Sequence, residues 1–132
     1  ARDDLKMVLE AAPHHYHALT QIGSCYLSLE RPERAEGPLN EAIRLNQNHA
    51  PAWHQRGLLY LELKEVDAAF DDFQAAIRCD GNHLDSRLHI AATLHQQERH
   101  EEAAAAWRAV LTIDPDHTVA RARLGDCEMV LL

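Results

Sequence analysis

Apolar residues recur along this chain at steps of three and four, the spacing of one face of an α-helix. In the middle of the chain Trp53, Gly57, Tyr60 and Leu61 are followed by Ala69, Phe70, Phe73, Ala76 and Ile77. The polar stretch Leu63-Lys64-Glu65-Val66-Asp67 separates the two runs. This pattern predicts a helix, a tight turn, a second helix, and a loop ending near Gly81-Asn82-His83. The pattern then repeats. His15, His49, His83 and His117 close successive junctions, each 34 residues after the last. In the same register lie a small column (Gly23, Gly57, Ala91, Gly125) and a large apolar one (Tyr26, Tyr60, Leu94). Ala35, Ala69 and Ala103 form a third, Leu39, Phe73 and Trp107 a fourth, and Ala42, Ala76 and Val110 a fifth. A fixed period in this range means stacked supersecondary units. The small residues let two antiparallel helices approach closely, and the large ones fill the space beside them.

These columns resemble the tetratricopeptide repeat (TPR) family. Trp53, Gly57, Tyr60, Ala69, Phe73 and Ala76 stand where the family signature places them. Leu19, Ile22, Gly23, Tyr26, Ala35, Leu39 and Ala42 follow it in the first unit. Ile90, Ala91, Leu94, Ala103, Trp107, Val110 and Pro115 follow it in the third. The resemblance implies an all-α, right-handed superhelical solenoid of antiparallel helix pairs. It divides the chain into full repeats at 16–49, 50–83 and 84–117, flanked by two half repeats. Residues 1–15, with Leu5, Val8 and Pro13, read as the second helix of a preceding repeat, and 118–132 as the first helix of a following one. Eight helices are expected, in a piece of a longer protein.

Some residues depart from the family pattern. Arg56 replaces a preferred Leu, and Arg87 and Arg121 occupy the Trp53 column. Glu30, Lys64 and Glu98 stand at the turn position usually held by Gly, at a cost of about 1 kcal/mol each if that turn is left-handed. Pro38 lies inside a second helix, where a proline costs roughly 3 kcal/mol or bends the helix.

A net charge of −8 over 132 residues and the lack of a basic stripe argue against nucleic acid. No run of about 18 apolar residues is present to span a bilayer. Cys25, Cys79 and Cys127 are far apart and odd in number. They read as buried, reduced thiols acting as small apolar residues, in keeping with a cytoplasmic location.

Ten histidines invite a metal or catalytic reading. The four junction histidines cannot share one ion, because neighbouring units are on the order of 10 Å apart and zinc ligands lie about 2 Å from the metal. A role at helix starts, satisfying free backbone groups, fits them better. His14-His15-Tyr16-His17 has no acidic or cysteine partner cluster. Ser24, Ser28 and Ser86 lack a glycine elbow, and His95 and His100 lack zinc-protease spacing. No catalytic residue, cofactor or metal is assigned, and the chain is not read as an enzyme.

What the resemblance implies about binding follows from its geometry, in which the first helix of each unit lines a concave face. The second helices hold Glu33, Glu36, Glu41, Asp67, Asp71, Asp72, Glu101 and Glu102. The groove-facing set is His17, Thr20, Gln21 and Ser24, then His54, Gln55, Leu58 and Leu61, then Asp85, Leu88, His89, Ala92 and His95. It is polar and almost free of fixed charge. Exposed acids on the second helices, Asp71 and Asp72 among them, are expected to be replaceable without effect on binding. One TPR class grips the C-terminal carboxylate of heat-shock chaperones with a Lys/Asn/Asn/Lys/Arg clamp. Carried over, those positions hold Thr20, Ser24, Gln55, Asp85 and His89, so the clamp is missing. The function read from this is a protein-interaction scaffold taking a peptide or partner segment in the groove. The alternative is the substrate-recruiting TPR region of a larger transferase or hydroxylase. Leu124, Met129, Val130, Leu131 and Leu132 would leave an apolar strip open to self-association.

Overall fold

The period and the turn chemistry account for every element of the computed structural model, which describes residues 15–132. Among the described residues there are seven α-helices and no strand. They are α1 (Tyr16–Ser28), α2 (Pro32–Leu45), α3 (Ala50–Glu62), α4 (Val66–Cys79), α5 (Leu84–Gln96), α6 (His100–Ile113) and α7 (Thr118–Leu131). The helix expected before His15 lies outside the described residues. A 13-residue helix, a three-residue turn, a 14-residue helix and a four-residue loop make up one period. The helices form two compact units, one ending at Asp80 with α1–α4 and one from Gly81 to Leu132 with α5–α7.

Each hairpin turns on a single left-handed residue: Glu30 (φ 59°), Lys64 (φ 64°) and Glu98 (φ 60°). Around Glu30, Arg31 N–H donates to the Tyr26 carbonyl at 2.8 Å and Glu30 N–H to that of Leu27 at 3.0 Å. Glu65 and Lys64 repeat this pair onto Tyr60 and Leu61, and Arg99 and Glu98 repeat it onto Leu94 and His95. This is a Schellman closure, which satisfies the last helical carbonyls. It needs the left-handed conformation that glycine adopts without strain and these residues do not.

The small column seats the large one. A Cβ on Gly23 would stand 2.5 Å from Leu39 Cγ, and one on Gly57 would stand 2.6 Å from Phe73 Cε1. Only a glycine lets those side chains reach the backbone of the facing helix. Leu39 and Phe73 are fully buried as a result. Ala91 and Trp107 hold the same columns in the second unit, both buried. In α7, Gly125 faces open space.

In the first unit Leu59 of α3 joins Tyr26, Ala35 and Leu39 of the preceding pair in one apolar cluster, with Ile22 and Leu27 packed on it. A second cluster unites Leu19, Ala42, Ile43 and Ala52 beneath Tyr16, Leu45 and Trp53. Within the first unit the second helix pair therefore completes the core of the first, as in other stacked repeats. Pro38 is buried in α2, which runs from Pro32 to Leu45 across it. The proline removes one backbone donor without ending the helix.

Two expectations are corrected here. Asp72, read as an exposed acid, is 3% exposed. Its oxygens take Arg56 Nε at 2.8 Å and Nη2 at 2.9 Å, while Arg56 Nη1 donates to Asn40 at 3.0 Å. The guanidinium also lies over the rings of Trp53 (5.1 Å) and Tyr60 (5.7 Å). The arginine found in place of the family's Leu is thus the partner of a buried acid. The hydrogen bonds that Arg56 donates to Asp72 hold the guanidinium pKa above the usual arginine range, against the opposing effect of burial. The cysteines differ among themselves. Cys127 is buried, Cys79 is half-buried with its thiol on the Gln47 carbonyl at 3.3 Å, and Cys25 is exposed. Cys25 shares a column with Leu59 and Cys127, both of which are buried.

Candidate functional site

The register of each first helix decides which side chains face outward. In α1, residues at steps of four and three give His17 and Gln21 exposed and Ser24 half-buried. In α3, Gln55, Leu58 and Leu61 are half-buried. In α5, Asp85 and Ala92 are exposed, and Leu88, His89 and His95 are half-buried. Two of the groove candidates do not belong to an open face. Thr20 is 5% exposed, with its hydroxyl donating to the Tyr16 carbonyl at 2.9 Å. His54 is 6% exposed, and its ring lies 5.6 Å from that of Phe73. Both stand in one repeat column, which is covered in α1 and α3, whereas Leu88 in the same column of α5 is half-buried.

The histidines divide by task. His83 and His117 cap their helices: Nδ1 of His83 accepts Ser86 N–H at 3.4 Å, and Nδ1 of His117 accepts Ala120 N–H at 3.1 Å. Such caps satisfy one of the free donors at a helix start. His15 and His49 make no side-chain cap. His49 instead meets Tyr16 and His17, with ring centroids 4.9 and 4.6 Å away. Burial lowers the His49 pKa below the ordinary imidazole value, and the neighbouring His17 lowers it further. Burial also lowers that of His89, opposed by the charge of Asp85. Both rings therefore favour the neutral form. Among the described residues no group of three or more His, Cys, Asp or Glu is placed to hold a metal ion.

The second unit contains a cavity of about 370 Å³. Ala92, His95 and Gln96 of α5, Trp107 of α6, and Val119 and Arg123 of α7 line it. Of these, only Ala92 and His95 are groove residues by sequence reading. The signal for the others lay in column comparison, since Arg123 shares a column with Gln55 and His89, and Trp107 with Leu39 and Phe73.

The second helices carry the fixed charge outward. Glu33, Glu36, Asp67, Asp71, Glu101 and Glu102 are exposed, and Glu41 is half-buried. At the far end of α7, Met129 (72%), Val130 and Leu131 are exposed, as is Leu132 beyond it, while Leu124 is half-buried. Among the described residues no helix is long and apolar enough to cross a membrane.

The tetratricopeptide repeat profile matches the chain twice, over residues 26–83 and 55–118. No curated protein sequence matches it. Among solved structures, that of the MamA protein is similar at 24% identity and a TM-score of 0.81, covering 92% of this chain and 67% of that one. The Arabidopsis OM64 TPR domain is similar at 23% identity and a TM-score of 0.75, over 85% of this chain and 93% of that one. The second TPR domain of human RPAP3, solved in complex with the HSP70 peptide SGPTIEEVD, is 20% identical with a TM-score of 0.77, over 89% and 98% of the two chains.

Proposed function

The chain belongs to the tetratricopeptide repeat family, and from that premise we propose that it is a protein-interaction module holding a peptide segment of its partner against the first helices. The observation that carries this reading is the contrast between faces. The groove positions of α1 and α3 that stay open are His17, Gln21, Ser24, Gln55, Leu58 and Leu61, none of them charged, with the exposed Glu62 at the C-terminal end of α3. Those of α5 are Asp85, Leu88, His89, Ala92 and His95, with a single acid. The second helices present fixed charge instead, carboxylates together with Arg34, Arg44, Arg78 and Arg108. A neutral strip of amide, imidazole and aliphatic groups suits an extended or helical peptide, whose backbone and apolar side chains it can meet without desolvating charge. The peptide complex of the RPAP3 domain is consistent with such a use of the fold. Binding of the carboxylate-clamp kind is not part of the proposal, since Thr20, Ser24, Gln55, Asp85 and His89 stand at the clamp positions. The same surface would serve a repeat region that recruits substrate for a transferase or hydroxylase domain.

Peptides selected by display on the whole chain test the reading. Gln21→Glu or Leu58→Glu should weaken them at least tenfold, and Asp71→Asn less than twofold. The opposite ranking would place the contact on the second helices and overturn it. A second surface is favoured by the exposure of Met129, Val130, Leu131 and Leu132 beside half-buried Leu124. Each such side chain gains roughly 1.5–3 kcal/mol on full burial, which supports self-association through α7. Sedimentation at rising concentration should show a dimer that Met129→Glu with Val130→Glu abolishes; a monomer throughout would refute it.

A further inference from the structure

The cavity of the second unit is lined by one buried donor without an acceptor and by one exposed cation. Trp107 is 2% exposed, and its indole N–H has no hydrogen-bond partner. A buried donor left unpaired is unfavourable, and native proteins keep few of them. Arg123, more than half exposed, has its paired carboxylate, that of Asp126, 3.8 Å away, beyond hydrogen-bond reach. An indole N–H and a guanidinium can only donate. Ala92, Val119 and the indole itself are the apolar part of the lining, beside His95 and Gln96.

The same columns of the first unit hold Ser24, Leu27, Ser28, Leu39, Pro51 and Gln55. There Leu39 is fully buried and Leu27 packs on its cluster. His95, Trp107 and Arg123 have thus replaced two leucines and a glutamine. The donor set is a property of this unit and not of the repeat.

We propose that this cavity is a subsite for an acidic side chain of the bound partner segment. The carboxylate meets the Arg123 guanidinium, a charge-assisted contact, and its second oxygen accepts from the Trp107 N–H. The methylene stem lies against Ala92 and Val119. His95, whose ring centroid is 6.3 Å from that of the indole and whose Nδ1 is 3.4 Å from Cys127 Sγ, turns aside to admit the oxygen. The inference rests on the reading of the first helices as a peptide-binding face and adds the chemistry of one position on it.

The chain has two tryptophans, so two indole N–H resonances report on the test, told apart with Trp53→Phe. Trp53 Nε1 already donates to the Gln47 carbonyl at 2.9 Å and serves as the internal control. Titration of the 132-residue chain with N-acetyl-glutamate N-methylamide should shift the Trp107 signal saturably and leave the Trp53 signal in place. The matching glutamine derivative should shift neither. Arg123→Gln, a surface change, should weaken the response at least fivefold with an unchanged unfolding midpoint. No shift at Trp107, an equal shift with glutamine, or an undiminished response in Arg123→Gln would overturn the proposal. A stronger response to N-acetylglycinate would assign the site to a chain-terminal carboxylate and overturn the side-chain assignment. Display-selected peptides separate this result from the broader reading. Peptides that depend on Gln21 and Leu58 but show no acidic preference remove the subsite and leave the binding face. A Trp107 shift with capped glutamate, where no peptide can be selected, supports the cavity's chemistry and removes the peptide-binding reading.

Discussion

The α3–α4 pair of the first unit and the α5–α6 pair of the second share their small, aromatic and alanine columns, yet fill two neighbouring columns differently. Where α3–α4 sets Arg56 against Asp72, α5–α6 has Ile90 and Ala106, and α1–α2 has Ile22 and Pro38. The polar pair is paid for by its geometry: both carboxylate oxygens and three guanidinium nitrogens are engaged, under two aromatic faces. The second unit places its exceptional polar groups elsewhere, around a cavity lined by His95, Trp107 and Arg123, where the buried Trp107 N–H has no partner. A repeat column fixes how helices pack. A polar replacement within it is a structural pin when its partner is supplied by the same pair, and a candidate binding group when it is not.

The largest effect should come from unpairing the pin. Asp72→Ala leaves Arg56 largely covered and uncompensated, and should cost about 3 kcal/mol in urea unfolding. The double change Arg56→Ile with Asp72→Ala installs the residues of α5–α6 and should recover to within about 1 kcal/mol of the parent. A double variant as damaged as the single one would show that the pair does more than satisfy itself.

Glycine substitutions sharpen the same contrast. Gly57→Ala drives a methyl into the Phe73 ring and should lose about 1–3 kcal/mol. Gly125→Ala meets nothing within 4 Å and should be neutral or gain about 0.5–1 kcal/mol from helix propensity. Equal losses at both sites would refute the seat formed by the small column. Next in size are the left-handed turns. Lys64→Gly and Glu98→Gly should each raise stability by about 0.5–1 kcal/mol, since strain is relieved and part of the gain is returned as unfolded-chain entropy.

The smallest effect is on pH dependence. Burial chiefly holds the pKa of His49 and His89 in the folded chain below the ordinary imidazole value of about 6.5. As pH falls, the unfolded chain takes up these protons first. The stability due to the neutral rings is therefore complete above about 6.5 and is lost as pH falls through the lower folded values. Unfolding midpoints measured between pH 7.5 and 5 should decline, and His49→Gln or His89→Gln should flatten the decline in its own unit.

Much of this was legible from residue types at a 34-residue spacing. Helical steps around Trp53 and Phe73 mark the helices, and Gly57 in register with Phe73 marks their close approach. Burial of individual polar groups was harder to read. Asp72 resembles any acid on an amphipathic helix until Arg56, misplaced in an apolar column, is taken as its partner. Thr20 and His54 sit at the edge of the outward face, where one column of rotation decides between solvent and core. Thr20 goes inward at little cost, because its hydroxyl bonds the carbonyl four residues earlier. The cavity depends on α5, α6 and α7 together, and no spacing along one helix encodes it.

The central claim is that a partner peptide lies on the first helices. Amide chemical-shift mapping of the whole chain with a saturating display-selected peptide tests it most directly. The account predicts that the large shifts fall on α1, α3, α5 and α7, with Gln21, Leu58 and His89 among them. Shifts concentrated on α2, α4 and α6, around Asp67, Asp71 and Glu101, would contradict it.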